Sequence, residues 1–163
     1  MKRLMLSAIA GLAFLALMQP AQAACNLCAC LASTQAVNFG IYSALVSLPG
    51  TGTGEVGITC TTAALSNQTL AYDIKLSAGN GSIADRSMMF GASNRLHYNL
   101  YTASNYAIVW GDGTGSSQIV SGGGTVAVGQ VFANAHTIHA RLPAAQNVPG
   151  GVYTDLITVT VTY

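Results

Sequence analysis

Charge is what this sequence has least of: Asp, Glu, Lys and Arg together make up 7% of its 163 residues, with six cations and five acids. That scarcity argues against solvent-exposed helices, whose outer faces draw on long charged residues. It also excludes nucleic-acid binding by phosphate neutralisation, which needs a basic stripe rather than a few scattered cations. A membrane-spanning run is lacking too. The longest apolar stretch, Leu4 to Met18, falls short of the roughly 20 residues that cross a bilayer. Finally, no Gly-x-Ser-x-Gly elbow occurs, and the glycine-rich Gly111 to Ser116 has no lysine to make it a phosphate loop, so catalysis is not expected.

The apolar stretch has another use. Lys2 and Arg3 precede it, Pro20 follows it, and Ala21-Gln22-Ala23 places small residues where a signal peptidase inspects the chain. Residues 1–23 are therefore expected to be a cleaved signal peptide, leaving one exported domain over residues 24–163. Gln22 stands where a lipoprotein signal wants an aliphatic residue, which argues against lipidation at Cys25. Loss of Lys2 and Arg3 leaves four cations against five acids, a net charge of −1.

Strands fit what remains. From Ile157 to Tyr163, apolar residues (Ile157, Val159, Val161, Tyr163) alternate with Thr158, Thr160 and Thr162, the period of two of a strand with β-branched residues on both faces. Further strands are expected over residues 37–46, 54–60, 70–77, 95–102, 106–110 and 134–142. The stretches 78–82, 111–115, 121–124 and 149–151 supply turn residues, and Leu48 to Gly54 looks like a longer flexible loop. Short strands punctuated this way suggest a β-sandwich.

Three of the four cysteines crowd into Cys25, Cys28 and Cys30, with Cys60 far downstream. Cys25 and Cys28 have redox-motif spacing, yet no strand–helix context follows, and Ala29 stands where a c-type haem needs histidine. A zinc site usually brings two such knuckles, and Cys60 has no neighbour to form the second. Export and an even count favour full pairing into disulfides. His136 and His139 are three apart, so in a strand they point to opposite faces and cannot chelate one ion. Asp112 alone is thin support for calcium. Neither metal nor cofactor is expected. Arg86, Arg95 and Arg141 with Trp110 and the tyrosines suit either a glycan- or surface-binding patch or ordinary structural roles.

Several phrases carry a resemblance: Val37-Asn-Phe-Gly-Ile-Tyr42, Gly57-Ile-Thr-Cys60, Tyr72-Asp-Ile-Lys-Leu-Ser77, Arg86-Ser-Met88, Leu96-His-Tyr-Asn-Leu-Tyr101, Val109-Trp-Gly-Asp-Gly-Thr114 and Gly151 through Val161. In order and spacing they resemble the spore coat protein U domain, shared with subunits of archaic (Csu-type) chaperone-usher pili, over about residues 30–163. The resemblance implies an all-β, immunoglobulin-like sandwich missing one strand, completed by donor-strand complementation. Its partners would be a periplasmic chaperone, an outer-membrane usher and neighbouring subunits, and its place the cell surface or beyond. The physics is β-augmentation, in which an extended segment completes an unpaired edge and fills its apolar pockets.

By the same resemblance, Ile157, Val159, Val161 and Tyr163 border the groove and contact the partner. Cys30 and Cys60 form the family disulfide, leaving Cys25 and Cys28 as a local pair, although Cys25 or Cys28 bonding to Cys60 stays open. Only Ala24 to Ala29 precede Cys30, spanning about 20 Å at roughly 3.3 Å per residue, too little for a donor strand. That points to a fibre end, a coat-type protein not polymerised this way, or cleavage elsewhere. The expected function is a pilus subunit serving attachment and biofilm formation. The alternatives are a protective coat protein and a secreted carbohydrate-binding module.

Overall fold

The computed structural model describes Cys25 and residues 27–163; the expected signal peptide lies outside them. Among the described residues eight strands are formed: β1 (Cys28–Gln35), β2 (Gly50–Thr62), β3 (Gln68–Leu76), β4 (Arg86–Phe90), β5 (Asn94–Tyr101), β6 (Val120–Val126), β7 (Phe132–Leu142) and β8 (Val159–Thr162). No helix occurs among the described residues. One sheet has the order β1-β2-β7-β5-β4 and the other β6-β3-β8, with every ladder antiparallel.

The two sheets pack through their alternate residues. Val56, Ile58 and Cys60 of β2, Leu96, Tyr98 and Leu100 of β5, and Ile138, Ala140 and Leu142 of β7 are buried from one side. Leu70, Tyr72, Ile74 and Leu76 of β3 meet them from the other. Trp110 is 1% exposed, and its indole N–H donates to the Ile74 carbonyl at 3.1 Å, so the one tryptophan is core rather than surface.

Arg86 is likewise no surface cation. It is fully buried at the start of β4, where it donates to the Ser77 carbonyl (3.0 Å), Asn99 Oδ1 (2.6 Å) and the Trp110 carbonyl (2.9 Å). Burial pulls its pKa below the ordinary value, partly opposed by Tyr98, Asp155 and Asp112. The guanidinium stays charged, because that ordinary value lies so far above neutrality.

Two glycine stretches differ from the sequence expectation. Residues 50–54, expected as a flexible loop, belong to β2, and Gly52 and Gly54 share the inward face with Val56. The chain after β1 crosses over them: a Cβ on Gly52 would lie 2.9 Å from the Asn38 carbonyl oxygen, and one on Gly54 2.7 Å from that of Gln35. Ser121 to Gly124, expected as a turn, is mid-strand in β6. There a Cβ on Gly122 would meet the Tyr72 ring at 2.5 Å, and one on Gly124 the Phe132 ring at 2.7 Å. In both places glycine admits a neighbour to within backbone distance instead of bending the chain.

Other expectations shift as well. Residues 37–46 form no ladder, because the chain leaves β2 at Gln35 to cross the inner face. Residues 106–110 contribute isolated bridges at Val109 and Trp110 only. β1 and β4 carry too little alternation to have been expected.

Candidate functional site: a cleft along the last strand

Residues 153–162 change sheets. Thr154 bridges Met89 at the free edge of β4, with N–H to carbonyl bonds of 2.7 and 3.1 Å. Four residues later Thr158 accepts from the Ser77 N–H, and β8 then pairs with β3 from Leu76↔Val159 to Asp73↔Thr162. Throughout, Tyr153, Asp155, Ile157, Val159 and Val161 are half-buried, while Val152, Thr154, Leu156, Thr158 and Thr160 are exposed. A single inward row therefore runs past the sheet switch, with one acid in an otherwise apolar series.

Facing that row is the crossing segment after β1. Between them lies a cleft of about 350 Å³, walled by Gln35, Val37 and Phe39 on one bank and by Tyr153 to Ile157 and Val159 on the other. Met88, Tyr98, Leu100 and Ile138 form its floor. A second hollow of about 530 Å³ shares Val37, Phe39, Met88 and Tyr153 with the first and extends past Ile41, Leu96 and Leu142 to Val152. The two make one long apolar trough. β8 is the edge of its sheet, so backbone groups on its outer side have no strand to pair with.

Polar anchors hold the banks apart. The Asp155 carboxylate accepts from the Tyr98 hydroxyl (2.8 Å), the Asn80 N–H (2.9 Å) and the Leu156 N–H (2.8 Å), tying the C-terminal bank to the β3–β4 loop. Burial, reinforced by this carboxylate, pushes the Tyr98 phenol well above its ordinary pKa, so it remains a donor. On the opposite bank, the Tyr42 hydroxyl oxygen accepts from the Gln146 N–H at 2.6 Å. Phe39 packs edge-on against Tyr98, centroids 5.8 Å apart.

Of the four residues expected to contact a partner, Ile157 and Val159 line the cleft and Val161 packs against the core beyond it. Tyr163 is half-exposed and stands off it. The Val37-Phe39-Ile41 bank and the Asp155–Tyr98 anchor were not foreseen as site residues, although the 37–41 alternation is the signal that marks the bank. Cys30 and Cys60 face one another across β1–β2 and are bonded, as are Cys25 and Cys28. His136 points inward to the Tyr72 hydroxyl at 2.9 Å, whereas His139 lies on the opposite face. No cluster of three or more metal-ligating side chains occurs among the described residues.

Two facing antiparallel sheets define an immunoglobulin-like all-β sandwich. The chain belongs to the Spore Coat Protein U domain family, whose pattern matches residues 15–160. It is 30% identical to Protein U of Myxococcus xanthus over 134 residues, which is 78% of this chain and 71% of that protein. Among solved structures it is similar in fold to the CsuC–CsuE chaperone-tip adhesion subunit pre-assembly complex from the archaic chaperone-usher Csu pili of Acinetobacter baumannii. The TM-score is 0.54 at 22% identity, covering 84% of this chain and 40% of that one. The chain thus spans less than half of the structure it resembles.

Proposed function

We propose that this protein is an exported structural subunit of an archaic chaperone-usher fibre, that it accepts an extended strand in the cleft, and that it serves attachment and biofilm formation at the cell surface. The observation that carries the reading is the trough between residues 35–41 and 153–159 beside the unpaired edge of β8. A strand laid there gains backbone partners along β8, and each alternate apolar side chain it buries contributes about 1.5–3 kcal/mol. A periplasmic chaperone would supply such a strand first and a neighbouring subunit later, with an usher at the outer membrane. Cys30–Cys60 ties β1 to β2 five residues before the near bank begins at Gln35. In the chain-entropy model a loop of that length is worth about 4 kcal/mol, against about 2 for Cys25–Cys28.

Co-expression of the full chain with a tagged candidate chaperone tests this. A soluble complex is expected, and Val37→Arg or Ile157→Arg, which put charge into the trough, should sharply reduce recovery while Leu31→Arg on the outer face does not. Recovery that is the same with and without the chaperone, and unchanged by Val37→Arg and Ile157→Arg, would overturn it. A coat-type role is the second reading, favoured by the identity with Protein U along most of that relative. Absence of chaperone and usher genes beside this one would select it.

A further inference from the structure

A further concavity opens on the outer face of the larger sheet, sharing only Tyr98 with the trough. It holds about 370 Å³ at the end where β5 and β7 pair (Asn99↔Arg141, Tyr101↔His139), and Asp85, Tyr101, Arg141 and Pro143 are among its walls. That volume sits at the small end of ligand sites.

The walls are pinned. Asn99, at its base, is 6% exposed; its Oδ1 accepts from Arg86 and the Leu100 N–H, and its Nδ2 donates to the Ile83 and Ala84 carbonyls. Its polar groups are thus used internally and make a rigid floor. One wall is the Ser82–Asp85 turn, closed by backbone bonds in both directions. The other is the arm after β7, which Gln146 clamps by exchanging bonds with both the N–H (2.7 Å) and carbonyl (2.8 Å) of His97 while also donating to the Pro143 carbonyl.

Two of the three non-glycine residues with positive φ among the described residues belong to these surroundings: Ala145 (φ 58°) in the clamped arm and Tyr106 (φ 54°) beneath Arg141. Left-handed backbone in a residue as bulky as tyrosine costs energy and persists only where the surroundings enforce it. Here it sets the Tyr106 ring 5.6 Å beneath the Arg141 guanidinium and edge-on to Tyr101, 5.5 Å away.

Arg141 is the group left over. Arg86 and Arg95 spend their donors on protein acceptors, whereas the guanidinium of Arg141 has neither a hydrogen-bond acceptor nor a carboxylate among the described residues. His139 precedes it on the same outward face. A guanidinium seated over a ring keeps its fork of donors available for a planar anion, which it engages through two parallel N–H bonds. Asp85, whose carboxylate oxygens both lie 3.0 Å from His97 Nδ1, keeps further lone pairs for a hydroxyl, and the half-exposed Tyr101 adds an aromatic wall. We infer that this hollow binds a carboxylate-bearing sugar, a hexuronate unit of an acidic polysaccharide, with the carboxylate on Arg141, ring hydroxyls on Asp85 and a sugar face against Tyr101.

Calorimetric titration of the full chain with trigalacturonate tests the assignment, with trigalactose and sulfate at equal ionic strength as the competing probes. Saturable binding is expected with Kd of roughly 0.1–1 mM. Arg141→Ala should weaken it about tenfold or more, and Arg141→Lys, which keeps the charge and the stem but loses the fork, by nearly as much. Lys75→Ala on the other sheet should leave it unchanged. No saturation by about 10 mM, equal binding of trigalactose, displacement by sulfate at matched concentration, or full affinity in Arg141→Lys would each overturn it. Because neither Arg141 nor Lys75 lines the trough, these results stand whether or not the strand-accepting reading does.

Discussion

At the scale of single residues, the protein concentrates its few polar groups where geometry is hardest to keep. Arg86 holds three acceptors that no carboxylate shares, so its removal strands the Ser77 and Trp110 carbonyls and Asn99 in the interior. Arg86→Lys, with one compact ammonium in place of the fork, is expected to cost about 2–4 kcal/mol in urea unfolding. A loss below about 0.5 kcal/mol would mean the network relaxes freely. His136 gives a pH dependence whose sign is fixed. Asn134 Nδ2 donates to the Tyr72 oxygen, which leaves the Tyr72 O–H available to a neutral His136, whose Nε2 lies 2.9 Å away. Burial lowers the His136 pKa below its unfolded value. The folded state therefore binds fewer protons than the unfolded state between those two values, so this contribution is complete above about pH 6.5 and is lost as pH falls towards the folded pKa. His136→Gln, which does not titrate, should show a shallower fall in urea midpoint between about pH 7 and pH 5. Parallel curves for the two proteins would refute that.

At the scale of elements, glycine is the residue whose meaning changed most between sequence and structure. Gly122 and Gly124 lie mid-strand under aromatic rings, so Gly122→Val should drive a branched side chain into Tyr72 and cost about 1–3 kcal/mol, with Gly113→Val, at an exposed turn position of positive φ, as a φ-dependent comparison. Thermal unfolding of the two variants separates steric from conformational cost. The same residues explain what could be read in advance. β3, β5 and β7 were legible because each carries a buried alternation of three or four side chains. β6 was not, because its pairing with β3 runs through three glycines and leaves no hydrophobic period to read. The Gly-Thr-Gly-Thr-Gly run hid the start of β2 for the same reason, since its inward positions are filled by the crossing backbone rather than by side chains. The site divides likewise. Ile157 and Val159 follow from alternation alone, but Asp155 breaks the apolar row and becomes intelligible only when Tyr98 and Asn80 are seen to meet it.

At the scale of the whole molecule, the sandwich is closed along one edge by residues 153–162 bridging β4 and β3, and open along the trough. Leaving Ile41 and Leu156 almost entirely in water is unfavourable for an isolated domain, and a strand that covers the trough reverses part of that exposure. Stability should therefore depend on strand concentration by mass action. Anything that binds the folded chain alone adds about 2.7 kcal/mol when present at a hundredfold excess over its Kd. A synthetic ten- to twelve-residue peptide with apolar residues at alternate positions should raise the unfolding midpoint of the purified chain progressively with its concentration. A register-scrambled peptide of the same composition should do so far less, since only one alternation matches the row of Tyr153, Ile157 and Val159. Asp155→Leu gives the sharper test. The substitution removes the anchor to Asn80 and Tyr98 and fills the one acidic position in the row, so the free chain should lose stability while the peptide-bound chain loses less. If peptide and scrambled control shift the midpoint equally, the trough lacks a defined register, and strand acceptance as the basis of assembly fails with it.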